Sequence, residues 1–100
     1  MIVVLFRTRV RPDAAEAGYE ATAQRMVERV SRMPGFVSFN WFTSPEGEEL
    51  SVAQFESEEA LAAWRNDPEH LEAQRRGKDI FFDAYHIQVC SLIREYGFTR

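Results

Sequence analysis

Two histidines, His70 and His86, are the side chains of this sequence best suited to trade a proton near neutrality. Around them stand residue types that line small-molecule pockets: Trp64, six residues before His70, with Asn40, Arg7 and Arg9 on earlier segments. An indole offers a flat apolar wall, an imidazole a proton acceptor, and an amide or guanidinium a donor to negative charge. Each has a plainer use. Trp64 beside Leu61 suits a core, and His70 at the third position of a capped helix suits solvent. His86 in mid-strand can hydrogen-bond across a sheet, and Arg7 and Arg9 can be edge or interface charges. Other chemistries find no footing. No serine sits in an elbow motif ahead of a helix, and no glycine-rich phosphate loop occurs. The histidines are sixteen residues apart on different elements and Cys90 is the single cysteine, so the spacing gives no metal site and no internal disulfide. The pairs Glu48-Glu49 and Glu58-Glu59 fall in a turn and at a helix start, where they read as solvated charge.

The elements that must position these groups follow from periodicity and punctuation. Ile2 to Val10 is rich in β-branched and aromatic residues and reads as a strand ended by Pro12. Asp13 followed by Glu16 has capping-box spacing. Tyr19, Ala23, Met26, Val30 and Met33 then form one apolar helical stripe that stops at Pro34-Gly35. Phe36 to Thr43 and Leu50 to Phe55 read as strands joined through a turn at 44–48. Ser57 caps a helix carrying Leu61 and Trp64; Asp67-Pro68-Glu69 starts another, which Gly77 is expected to close. Phe82 to Tyr96 reads as the last strand. The order β-α-β-β-α-(α)-β predicts an α+β, ferredoxin-like split βαβ fold, with a four-stranded antiparallel sheet and its helices on one face.

The bulk numbers narrow the classes further. One hundred residues suit a single domain spanning 1–100, and a chain this short gains from oligomerising. Twelve basic against sixteen acidic residues give a net charge of −4, which argues against a nucleic-acid module. The opening MIVVLFRTRV is too short an apolar run for a membrane span and lacks the layout of a signal peptide, so a cytoplasmic protein is expected.

Strand alternation also shows a second sheet face that the helices cannot cover. Tyr85, Ile87, Val89 and Ile93 suit the helix side, opposite Ala84, His86, Gln88, Cys90, Leu92 and Arg94. In the second strand Val37, Phe39 and Trp41 oppose Phe36, Ser38, Asn40 and Phe42. A four-stranded face covers roughly 480 Å². Burying half of it as apolar surface is worth about 6 kcal/mol. That is comparable to the whole stability of a small domain, so a homodimer pairing its sheets is expected.

The element order, the Met33-Pro34-Gly35-Phe36 junction and the run Trp64-Arg-Asn-Asp-Pro-Glu-His70, Gln74-Arg-Arg-Gly77, Tyr85 and Arg94-Glu-Tyr96 together resemble the antibiotic biosynthesis monooxygenase family. The resemblance implies a dimeric α/β barrel with a pocket in each subunit between sheet and helices. It implies chemistry on an aromatic phenol or quinol with O₂, without metal or flavin, the substrate anion itself reducing oxygen. Trp64 would then stack on the ring, His70 or His86 would take the proton, and Asn40 or Arg7 would hold the oxyanion. The family's haem-degrading branch implies another reading, with an Asn on the first strand and a haem-ligating His about ten residues after the Trp. Phe6 and Gln74 occupy those positions here, which argues against haem as a cofactor. A non-catalytic dimer binding a small apolar ligand is the competing expectation.

Overall fold

The structure, a computed structural model, describes residues 1–100. Its elements run β1 (Ile2–Val10), α1 (Tyr19–Val30), β2 (Phe36–Thr43), β3 (Glu49–Phe55), α2 (Glu58–Arg65), α3 (Pro68–Arg76) and β4 (Phe82–Ser91). The four strands form one antiparallel sheet in the order β2-β3-β1-β4, with helices on one face: an α+β, ferredoxin-like fold. No helix is long and apolar enough to cross a membrane.

The helix side is fixed by burial. Ile2, Thr8 and Phe55 are buried, so alternation puts Ile2, Val4, Phe6 and Thr8 of β1 toward the helices, paired with Phe55, Ala53, Ser51 and Glu49 of β3. The stripe of α1 closes over them. Val30, Phe55 and Trp64 form the core cluster, with Met26, Met33, Val4, Phe36, Ala53, Ala60 and Leu61 packed against it. Gly35 makes this approach possible. It has φ +83°, and a Cβ there would sit 2.5 Å from the Ala60 Cβ of α2.

Four sequence expectations are corrected. The Asp13–Glu16 spacing does not cap α1, which starts only at Tyr19 behind a left-handed Gly18; Asp13 instead pairs with Arg11. A register shift between Phe36 and Ser38 breaks simple alternation in β2 and puts Phe36 on the same side as Phe39 and Trp41. Gly77 does not stop α3. It stays helical and leads into a π-helical turn, Gly77–Phe81, and it is glycine because the Phe82 ring lies 2.8 Å from where a Cβ would be. The last strand ends at Ser91 rather than Tyr96, because its partner β1 runs out: Ile2 pairs with Ser91, and Leu92 donates to the Met1 carbonyl as the final rung.

Candidate functional site

The helices cover the sheet unevenly. They pack over β1 and β3, and on the same face of β4 Tyr85, Ile87 and Val89 stay half-exposed. An apolar strip of sheet is therefore left uncovered beside the core cluster. It continues through Val4 and Phe6, which pair with Val89 and Ile87, to an aromatic group of Phe6, Phe82, Tyr85 and Tyr19. Burial and the neighbouring Glu49 carboxylate raise the Tyr19 hydroxyl above its usual range, keeping it a neutral hydrogen-bond donor to Glu49.

Trp64 and His70 form the most ordered constellation on this side. The α2 helix begins at Ser57, whose hydroxyl accepts from the Ala60 amide, and its apolar face carries Trp64 into the core. Asp67 then turns the chain: its carboxylate accepts from the His70 amide and caps α3 ahead of Pro68. This tight α2–α3 corner lays the His70 imidazole flat on the Trp64 indole, with centroids 4.0 Å apart and planes 12° from parallel. His70 Nδ1 lies 3.0 Å from the Trp64 carbonyl oxygen. A carbonyl only accepts, so Nδ1 carries the hydrogen and Nε2 keeps its lone pair. Burial lowers the His70 pKa below its ordinary 6.5, against opposing pulls from the Trp64 carbonyl and the Asp67 charge. The product is a neutral imidazole of fixed tautomer. One turn further on, the Gln74 side-chain amide donates to the Arg65 carbonyl.

The corner is itself clamped. Arg29 of α1 grips Asp67 through two hydrogen bonds of 2.7 and 2.8 Å, which holds the Asp67 carboxyl below the usual carboxylate range. Arg25 does the same to Glu69. Sequence reading missed Arg29, Asp67 as an ion-pair partner, and Gln74. The charge pairing joins elements 38 residues apart, a distance no local pattern reports.

Arg7, His86 and Asn40 lie on the other face of the sheet. Arg7 and His86 are direct partners in the β1–β4 ladder, and Asn40 pairs with Val52, which pairs with Leu5. Arg7 donates to Glu48. Arg7, Arg9, Glu48 and His86, but not Asn40, border a hollow of about 130 Å³; a second hollow of about 220 Å³ lies at Arg25, Arg29, Arg32, Met33 and Pro34. Both are smaller than the roughly 300 Å³ at which small-molecule pockets begin. The five residues named from sequence are thus split. Trp64 and His70 meet on the helix side; Arg7, His86 and Asn40 share the open side. No three His, Cys, Asp or Glu side chains converge as a metal site would require.

Comparison with known proteins matches this geometry to a family. A model of the antibiotic biosynthesis monooxygenase family matches residues 1–76. The uncharacterised protein YqjZ of Bacillus subtilis is 29% identical over 80 residues, covering 80% of this chain and 70% of its own. Jasmonate monooxygenase ABM of Pyricularia oryzae is 28% identical over 92 residues; the match covers 89% of this chain but only 42% of that protein. Among solved structures, SnoaB, a cofactor-independent oxygenase from Streptomyces nogalater, superposes with a TM-score of 0.77 at 16% identity, covering 94% of each chain.

Proposed function

The chain belongs to the antibiotic biosynthesis monooxygenase family, and from that membership we propose that it is a cofactor-independent monooxygenase acting with O₂ on a planar aromatic phenol or quinol. The observation that carries this reading is the His70–Trp64 stack, a neutral, tautomer-fixed imidazole on an indole at the edge of the core cluster. The cofactor-independent oxygenase and the jasmonate monooxygenase among its relatives support the reaction class.

The residues do the following. The uncovered apolar strip takes the ring beside the Trp64–His70 stack. His70 Nε2 accepts the phenolic proton, while Nδ1–H stays on the Trp64 carbonyl. The imidazolium so formed stays beside the phenolate as its counter-charge, which burial makes stronger than in water. The phenolate ring carbon then gives its electrons to O₂ and forms a hydroperoxide. Loss of water leaves a quinone, so each phenol and O₂ give one quinone and one water. All four electrons that reduce O₂ come from the substrate, so no external reductant enters.

Because Arg7, Asn40 and His86 lie across the sheet, this reading takes His70 as the base and the open-side group as part of the proposed homodimer contact. Two copies packed by their open faces would bury Val3, Leu5, Leu50, Val52 and Phe42.

Oxygen uptake over a panel of phenols and hydroquinones tests the proposal. Uptake with quinone release is expected for the wild type and is lost in His70→Ala. Tight binding without O₂ uptake would establish the non-catalytic ligand-binding reading instead. A Soret shift on haem titration, abolished by His70→Ala, would reassign the corner to haem.

A further inference from the structure

On the open face of the sheet, Arg7 and Arg9 of β1 stand opposite His86 and Ala84 of β4 in the ladder. The four positions form a rectangle, about 7 Å along the strands and about 5 Å across them. Three of its corners carry N–H donors, and the fourth, Ala84, is a single methyl group. Between them lies the hollow of about 130 Å³, which Glu48 borders from the β3 side. That volume is about four waters' worth, the scale of one small oxyanion rather than of a drug-sized ligand.

The charges around this hollow do not cancel. Arg7 donates through Nε and Nη2 to one Glu48 oxygen, Oε1, which leaves its Nη1 without a protein acceptor. Arg9 and His86 make no side-chain hydrogen bond and no ion pair. Two guanidiniums thus face one carboxylate, and no other charged side chain lines the hollow. The larger hollow at α1 is different. There Arg25 and Arg29 are each held by a carboxylate through two hydrogen bonds, so Arg32 alone is unpaired.

A guanidinium is a planar fork that matches the oxygens of an oxyanion and has no such match to a spherical halide. We propose that the Arg7–Arg9–His86 hollow binds one small oxyanion, a phosphate or the carboxylate of a small ligand. Arg9 supplies the unopposed charge, Arg7 its free edge, and the His86 ring a third donor. The site lies across the sheet from the Trp64–His70 corner, so it enters no step of the proposed oxidation and stands without it. It does bear on the proposed homodimer. Pairing by open faces takes the unpaired Arg9 guanidinium out of water, a penalty that an enclosed anion offsets.

The test is calorimetric titration of the full chain with inorganic phosphate, acetate and chloride, at constant ionic strength in a zwitterionic buffer. The proposal expects saturable binding of phosphate or acetate, the tighter of the two naming the source, and none of chloride. Arg9→Ala should weaken binding at least about tenfold. Glu48→Gln should tighten it, because the variant removes the repelling charge and frees the Arg7 fork. Arg32→Ala, at the other hollow, should leave the constant unchanged. Added phosphate should move the ring resonances of His86 and not those of His70. Oxyanion binding no tighter than that of chloride overturns the site, as does an equal loss in Arg32→Ala and Arg9→Ala. Sedimentation in the same solutions separates the site from the assembly. A dimer that binds no oxyanion removes the site and keeps the homodimer; a monomer that binds phosphate keeps the site and removes the homodimer.

Discussion

The Trp64–His70 corner and the Arg7–His86–Asn40 group hold the same kinds of side chain in opposite physical conditions. In the corner a cap, a proline and two ion pairs force a ring onto an indole, and burial strips its charge. On the open face, ladder register alone brings Arg7 beside His86, and both remain exposed. Register can put groups side by side; only packing from a second layer changes what an imidazole does. The proposed function follows that difference, giving the chemistry to one histidine and the assembly to the neighbourhood of the other.

The comparison is broken most sharply by paired substitutions. His70→Ala is expected to lower kcat/KM for phenol oxidation by about 10²- to 10⁴-fold, the usual worth of a positioned base, while His86→Ala leaves it near wild type. Equal losses in steady-state O₂ uptake would dissolve the distinction. Trp64→Ala should cost about 3–5 kcal/mol in denaturant unfolding, because it empties the space between Val30 and Phe55. A comparable truncation on the open face, Phe42→Ala, should cost far less in the monomer, since that ring is mostly exposed. Gly35→Ala should lose about 1–3 kcal/mol through its positive φ and the Ala60 contact. Asp67→Ala should lose about 1–2 kcal/mol as a cap and free the α2–α3 corner, a loss read by thermal unfolding.

The smallest effect is on pH. The His70 pKa is lowered by folding from 6.5, so as pH falls below that value the unfolded chain takes up the proton first. Stability therefore falls with acidity in this window and is regained as pH rises through it. His70→Ala should flatten that dependence in unfolding curves measured from pH 5 to 8. By the same shift, the acid limb of kcat/KM should lie below 6.5.

Much of the scaffold was written locally. Ser57 and Asp67-Pro68 mark their helix starts, the α1 stripe finds the core, and alternation in β4 sorts its faces. What local pattern could not carry depended on distant partners. The end of β4 is set by where β1 begins, the flip of Phe36 by a bulge against β3, and the need for a glycine at 77 by the Phe82 ring. At the site, Trp64 and His70 were legible as residues. Their stacking was not, because it depends on the Asp67 cap and the Arg29 clamp from α1. Nor did composition show that Arg7, Asn40 and His86 lie across the sheet from them; that follows only from register.

With two histidines, the protein's imidazole nitrogen spectrum holds four ring nitrogens, two per residue, and both rings can be followed as a planar phenol is added at neutral pH. The account predicts that His70 begins as the neutral Nδ1–H tautomer and that its Nε2 resonance moves on binding, while His86 does not respond. A shift confined to His86, with His70 unmoved, would contradict it.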